Sequence, residues 1–426
     1  MNRPRALALA AAVAGLAMTA PGAGQPVAPP ATPAVNPQVE EGRYLAALGD
    51  CESCHDRPGG QKLAGGLPLN TPFGVIYSAN ITPDRDTGIG AWSEADFYRA
   101  MHEGRNNHNA HLYPAFPYAY FTRMSRAEVD AIRAYLMAQP AVSYRPRANR
   151  LPFPLSIRAL VGVWNWLYFK PGDFQPAAGQ SAAWNRGAYI VEGPGHCGAC
   201  HTPKTFLGGD KQQQALQGGQ LDNWFAPDLN GDARGGLADW TTADIVEFLK
   251  TGRNARSSAS GSMSDVIVHS TSQMNDGDLA AVATYLKSLP AAKAAAPAPA
   301  APDPAAMQAG AALYLDNCAA CHRADGAGVP REFPPLKGNS NVQTGNPTTV
   351  DRFILSGTES TATDARPTPL AMPSFAWKLT DAEIADVATY IRNSWGNAAP
   401  PVSAGDVAKL RGKVAAHPVR KPSEKA

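Results

Sequence analysis

One pentapeptide pattern, present three times, constrains this 426-residue chain more than any other feature: Cys51-Glu52-Ser53-Cys54-His55, Cys197-Gly198-Ala199-Cys200-His201 and Cys318-Ala319-Ala320-Cys321-His322. Together the three copies use all six cysteines. Two thiols one helical turn apart can add to the two vinyl groups of a haem, and the histidine that follows then lies under the iron as its proximal ligand. The spacing therefore predicts three covalently bound haem c groups. A thioredoxin-like pair or a disulfide has no need of an adjacent histidine. With nine histidines in 426 residues, three such neighbours would arise by chance with a probability of roughly 10⁻⁵. Zinc is disfavoured as well, because each pair stands more than a hundred residues from the next, which leaves any ion short of four ligands within one repeat.

The rest of the chain repeats with the motif. Each unit opens on a short segment containing Gly and Tyr: Glu41-Gly42-Arg43-Tyr44, Arg186-Gly187-Ala188-Tyr189 and Gly310-Ala311-Ala312-Leu313-Tyr314. Each closes on a strongly periodic helix, and the three align without gaps to Tyr135-Leu136, Tyr285-Leu286 and Tyr390-Ile391. Ser125, Asn275 and Thr380 stand where N-caps belong, with an acid three residues later, as in a capping box. A middle element recurs too: residues 92–105 match 240–253, with 348–357 a shorter third copy. The reading is three small α-helical domains at 38–147, 178–290 and 305–397. An aromatic-rich connector (148–177), a Pro/Ala linker (291–304) and a basic tail (398–426) account for the rest.

Asn2-Arg3-Pro4-Arg5, the thirteen apolar residues that follow and the small residues before residue 25 read as a cleaved signal peptide, assigned to residues 1–24, so the expected location is the periplasm. The most apolar later run, residues 159–169, spans eleven residues between Arg158 and Lys170, too short to cross a bilayer. The formal charge is +2, with two arginines in the first 25 residues and six basic against two acidic residues after 400, which leaves −4 for residues 26–400. Such a body has no basic face for phosphates, and nucleic acid is excluded as a partner. The tail reads as a solvated end, with contact to anionic lipid as the lesser reading.

A haem that only carries electrons keeps its sixth position filled, usually by Met or His. Met263 lies 62 residues after His201 and 22 before Tyr285, and Met372 lies 50 after His322 and 18 before Tyr390. Both fall ahead of the closing helix, in stretches rich in Gly, Ser and Pro, and both are assigned as distal ligands. The equivalent slot of the first unit, 61 residues after His55 and 19 before Tyr135, holds Phe116, which cannot bind iron. His111, five residues earlier, is the replacement candidate, with His108 behind it. Met101 and Met124 align with helical or pre-cap positions and read as packing residues. Asp84-Arg85-Asp86-Thr87-Gly88 lacks the acid a calcium loop needs at its twelfth position and reads as a turn. Residues 151–169, with two Trp, a Tyr and two Phe, read either as inter-domain packing or as a docking surface for a partner or a membrane interface.

With three haem motifs, Asn80-Ile81-Thr82-Pro83-Asp84, Leu112-Tyr113-Pro114-Ala115-Phe116-Pro117-Tyr118, Gly193-Pro194-Gly195-His196 before the second motif and Met372-Pro373-Ser374-Phe375, the chain resembles the tri-haem cytochrome c subunits of bacterial membrane-associated dehydrogenases. The likeness covers residues 38–397. It implies an all-α fold of three tandem class I cytochrome c-like domains. The six Cys would attach haem, His55, His201 and His322 would be proximal ligands, and Met263 and Met372 distal ones. It also implies an electron-transfer subunit without a substrate site, partnered by a quinone-, flavin- or molybdenum-dependent catalytic subunit. That subunit would oxidise an alcohol, an aldehyde, gluconate or an N-heterocycle, and electrons would pass to ubiquinone or a terminal oxidase at the periplasmic face of the inner membrane, with peripheral membrane association. Phe116 departs from the alcohol-dehydrogenase pattern, which has Met there; this loop and residues 149–169 look closer to partners of molybdenum hydroxylases. The competing readings are a peroxidase-like enzyme using an open first haem, with His108 or His111 as acid/base, and a free shuttle cytochrome.

Overall fold

The structure, a computed structural model, describes residues 36–221, 223–291 and 301–416. The expected signal peptide and most of the Pro/Ala linker lie outside the described residues.

Each repeat is organised by the crossing of its opening and closing helices. Pro37–Leu48 packs on Arg126–Met137, Ala182–Glu192 on Asp276–Ser288, and Pro304–Asn317 on Asp381–Asn393. At every crossing a glycine of the opening helix rides against backbone of the closing one. A Cβ on Gly42 would come within 1.8 Å of the Ala131 carbonyl oxygen, one on Gly187 within 2.0 Å of that of Ala281, and one on Gly310 within 2.3 Å of that of Asp386. Tyr135, Tyr285 and Tyr390 flank the same three contacts, so the recurring Gly and Tyr of the sequence are the two halves of one helix-packing device. The closing helices start where their caps predict. Ser125 and Glu128, and Thr380 and Glu383, form full capping boxes, while Asn275 caps through Asp278 N–H alone.

Behind the crossings lies the apolar core. Leu48, Met124, Ile132 and Leu136 of the first repeat and Ile267 and Leu279 of the second are almost wholly buried. Each is worth about 1.5–3 kcal/mol of burial. The third repeat has a core of its own around Tyr314, Ile384 and Val387.

The described residues are mostly helical, as expected, with little strand. Three two-stranded antiparallel hairpins accompany the helices: Pro68–Thr71 with Gly74–Tyr77, Gln217–Leu221 with Trp224–Asp228, and Thr358–Glu359 with Ala371–Met372. Strands of two to five residues are too short to show an alternating pattern, so sequence periodicity passes over them. The basic tail also differs from the expected solvated end. Ala404–Ala416 is a helix that buries Val407 and Leu410 in the third core, and Arg411 donates to Asp381 and to the carbonyls of Ala376 and Leu379.

The first two repeats hold each other by matched contacts. Tyr44 of the first opening helix donates to Asp278 of the second closing helix at 2.6 Å, and Tyr189 of the second opening helix donates to Glu128 of the first closing helix at 2.8 Å. The third repeat joins the second differently: Glu247 accepts from Arg331 and Arg366, Arg253 donates to the Thr368 carbonyl, and the Arg352 guanidinium lies over Trp224. Among the described residues no helix is long and apolar enough to cross a membrane.

Candidate haem sites

Each pentapeptide ends a short helix: Cys51–His55, Gly198–His201 and Ala319–His322. That places the two thiols of each motif on adjacent turns and the histidine at the helix end. In all three, the histidine Nδ1 meets a backbone carbonyl from a later segment, a loop in the first and third repeats and the strand Trp224–Asp228 in the second. The partners are Ala79 at 2.6 Å for His55, Pro227 at 2.7 Å for His201 and Pro334 at 3.0 Å for His322. A carbonyl only accepts, so Nδ1 carries the proton and Nε2 keeps its lone pair. This is the arrangement that orients and sharpens a metal-binding imidazole. Burial holds all three rings below the ordinary imidazole value, which keeps them neutral and able to ligate.

Five of the six thiols are held protonated rather than poised as thiolates. Burial pushes Cys51, Cys54 and Cys197 up to about 12, and Cys200 and Cys318 up to about 11. Redox exchange and zinc binding both call for the opposite shift. Among the described residues no cluster of three or more His, Cys, Asp or Glu could hold a metal ion.

Cys51, Cys54 and His55 are half-buried because they face a hollow rather than solvent. One continuous cavity of about 3300 Å³ is lined by these three residues and by Cys200 of the second motif, several times the roughly 300–1,000 Å³ of a small-molecule site. Its walls are largely apolar side chains such as Trp92, Phe97 and Ile132. The third motif lies outside it. Around this hollow the two repeats interlock. The helix Ser262–His269 packs on Cys51–His55, with His269 3.5 Å from Glu52. In return, Tyr120 of the first repeat lies so close to Gly198 that a Cβ there would be 2.7 Å from its hydroxyl. His196, to which the sequence pattern assigns no role, sits at this seam, with Nε2 3.3 Å from the Gly49 carbonyl and its ring edge-on to Phe121.

Met372 occupies the strand Ala371–Met372 and packs against the third core. Gly357, at φ +65°, makes room for the neighbouring strand: a Cβ there would meet the Met372 carbonyl oxygen at 2.5 Å. Met263 stands not in a loop, as expected, but in the first turn of Ser262–His269. Its neighbours Ser262, Asp265 and Val266 line the large cavity, though Met263 itself is not part of the lining. Phe116 does line it. The His111 ring faces a separate hollow beside the helix Val161–Tyr168, with Asn165 at 3.3 Å from Nδ1 and Gly162 beneath Nε2. A loop histidine aligned with no repeat partner gives no sequence signal of which way it turns. Here the connector helix decides.

Paired thiols, a backbone-oriented imidazole and a deep apolar hollow fit haem, and they define the class of c-type cytochromes. Residues 184–290 and 307–395 match the cytochrome c family. The alcohol dehydrogenase (quinone) cytochrome c subunit of Gluconacetobacter polyoxogenes is 43% identical over 398 residues, covering 88% of this chain and 84% of that one. The gluconate 2-dehydrogenase cytochrome c subunit of Pantoea cypripedii is 41% identical over 394 residues, covering 88% and 89%. The fructose dehydrogenase cytochrome subunit of Gluconobacter japonicus is 35% identical over 420 residues, covering 91% and 85%. The chain belongs to the family of dehydrogenase cytochrome c subunits. Its role is electron transfer rather than substrate chemistry.

Proposed function

We propose that the chain carries three haem c groups in three tandem class I cytochrome c-like domains. It would take electrons from a quinone-, flavin- or molybdenum-dependent catalytic subunit and deliver them to ubiquinone or another respiratory acceptor at the periplasmic face of the inner membrane. The observation that carries this reading is the threefold Nδ1-to-carbonyl contact of His55, His201 and His322. Bound haem supplies reversible one-electron iron chemistry, and these residues hold it. Cys51 and Cys54, Cys197 and Cys200, and Cys318 and Cys321 would attach it, His55, His201 and His322 would ligate its iron, and Met263 and Met372 would complete the ligand set in the second and third repeats.

The purified full-length chain is expected to give three haems per polypeptide by its alkaline pyridine spectrum, and the double variant Cys318→Ala/Cys321→Ala two. An unchanged count in that variant sinks the assignment. Met263→Leu and Met372→Leu should each remove one share of the long-wavelength thioether-to-iron absorption band of the oxidised protein. Persistence of the full band in either variant removes that methionine from the ligand set.

Peripheral membrane association is supported by the connector. Residues 131–172 contain six basic and no acidic residues, in a body whose charge is otherwise negative. From this stretch and the loop that Trp164 holds through the Leu207 carbonyl at 3.0 Å, Phe153 is 82%, Trp166 82% and Phe206 94% exposed. Exposed aromatics in or beside a basic stretch of chain suit an anionic lipid surface. Trp166→Ser combined with Phe206→Ser should weaken cosedimentation with vesicles containing phosphatidylglycerol about tenfold or more, since each large side chain contributes about 1.5–3 kcal/mol on burial. Equal binding by parent and variant would move the contact elsewhere.

A further inference from the structure

The slot that holds Met263 and Met372 in the later repeats holds Phe116 in the first, and the structure seats that phenyl ring firmly. It lines the same cavity as Cys51, Cys54 and His55, with its centroid 5.4 Å from Phe121 and 6.4 Å from Tyr118. Its loop is tied at both ends: Tyr118 donates to Asn165 at 2.6 Å and Tyr113 to the Leu155 carbonyl at 3.1 Å. The nearby nitrogen donors are engaged or distant. His111 faces the connector, His196 is bound to Gly49, and His108 is exposed and outside the cavity lining. Met124 is fully buried in the core away from the cavity; Met101 does line the cavity, but from the buried face of the helix Glu94–Glu103, at the packing position that Leu249 and Ile354 hold in the later repeats.

We infer that Phe116 leaves the haem of the first repeat without a distal protein ligand, under an apolar aromatic roof, so that this haem alone binds a neutral diatomic π-acceptor such as carbon monoxide. The polarity and hydrogen-bond donors of the distal pocket decide which ligands a haem accepts. A phenyl wall offers no donor to stabilise an anion but leaves room for a small apolar molecule. This rests on the attachment of a haem at Cys51 and Cys54.

The test uses the purified full-length holoprotein, its haem content first counted by the pyridine spectrum, then reduced with dithionite and titrated with carbon monoxide. One equivalent bound per chain is expected, with two haems spectrally unmoved. Phe116→Leu should still bind one equivalent. Phe116→Met should supply the missing thioether, add a third share of the oxidised thioether band and lower the apparent affinity roughly tenfold or more, because only the fraction with the methionine dissociated is competent. No binding by the parent, binding unaffected by Phe116→Met, or binding that appears only in Met101→Leu would each overturn the proposal, the last by making Met101 the ligand. A count of two haems in the parent would overturn the attachment reading itself and the inference with it.

Discussion

Gly187→Ala is expected to unfold the second repeat well below the melting temperature of the parent, with a loss upward of about 3 kcal/mol. Intrinsic preference argues for the opposite sign, since alanine is favoured over glycine in a helix interior by about 1 kcal/mol. The environment reverses it. The added methyl would sit 2.0 Å from the Ala281 carbonyl oxygen and 2.8 Å from the Tyr285 Cβ. Neither can swing aside as the tip of a long side chain can. Relief requires the helices Ala182–Glu192 and Asp276–Ser288 to separate along their contact. Gly412→Ala is the matched control, because its Cβ would meet nothing within 4 Å and should be neutral or stabilising by up to about 1 kcal/mol. Thermal unfolding followed by circular dichroism distinguishes the two, and a Gly187→Ala protein as stable as the parent would remove the crossing from the account of the fold.

These glycines show how much is legible in the chain. The recurrence of a Gly eight to ten residues ahead of each motif points to a repeated helical unit, and Ser125, Asn275 and Thr380 mark three helix starts correctly, because helix periodicity and capping are local signals. The relatives confirm the haem-binding family and the electron-transfer role that the pentapeptides imply. What sequence cannot give is orientation. The backbone carbonyls of Ala79, Pro227 and Pro334 carry no residue-type signature, so the partners of the three histidines emerge only when the later segments fold over the motifs. His111 turns to the connector because Asn165 and Gly162 of a distant segment accommodate its ring, a tertiary choice. The helix Ala404–Ala416 reads as tail because its basic residues outnumber its acid, yet its apolar stripe, Val407 and Leu410, is what docks.

Asp278→Asn should loosen the junction of the first two repeats by about 2–3 kcal/mol, the scale of charge-assisted hydrogen bonds lost from a partly buried site. The carboxylate accepts from Arg186 Nε at 2.8 Å and Nη2 at 2.7 Å, and from the Tyr44 hydroxyl at 2.6 Å. Burial by itself would raise the Asp278 pKa, but these hydrogen bonds outweigh it and hold the group below the ordinary carboxylate value. A folded-state pKa below the unfolded one gives stability that is present above about pH 3.9 and is lost as pH falls through the folded value. The gap in unfolding free energy between parent and Asp278→Asn should therefore hold from pH 7 to 5 and narrow below pH 4. A gap that widens on acidification, or none at pH 7, would show that the carboxylate does not hold the junction. Denaturant titration at several pH values reads this directly.

The paired contacts of Tyr44 with Asp278 and of Tyr189 with Glu128 have the property of an isologous interface: equivalent residues on two copies satisfy one another, and the surface is used up when the pair forms. Two repeats within one chain thus behave as a dimer fused head to head, at an effective concentration no separate subunits reach. In the third repeat the position two residues after the crossing glycine Gly310 is Ala312, which has no hydroxyl to donate. That copy offers no matching half. The symmetry therefore closes at two, and the third repeat attaches to a finished pair rather than extending a stack.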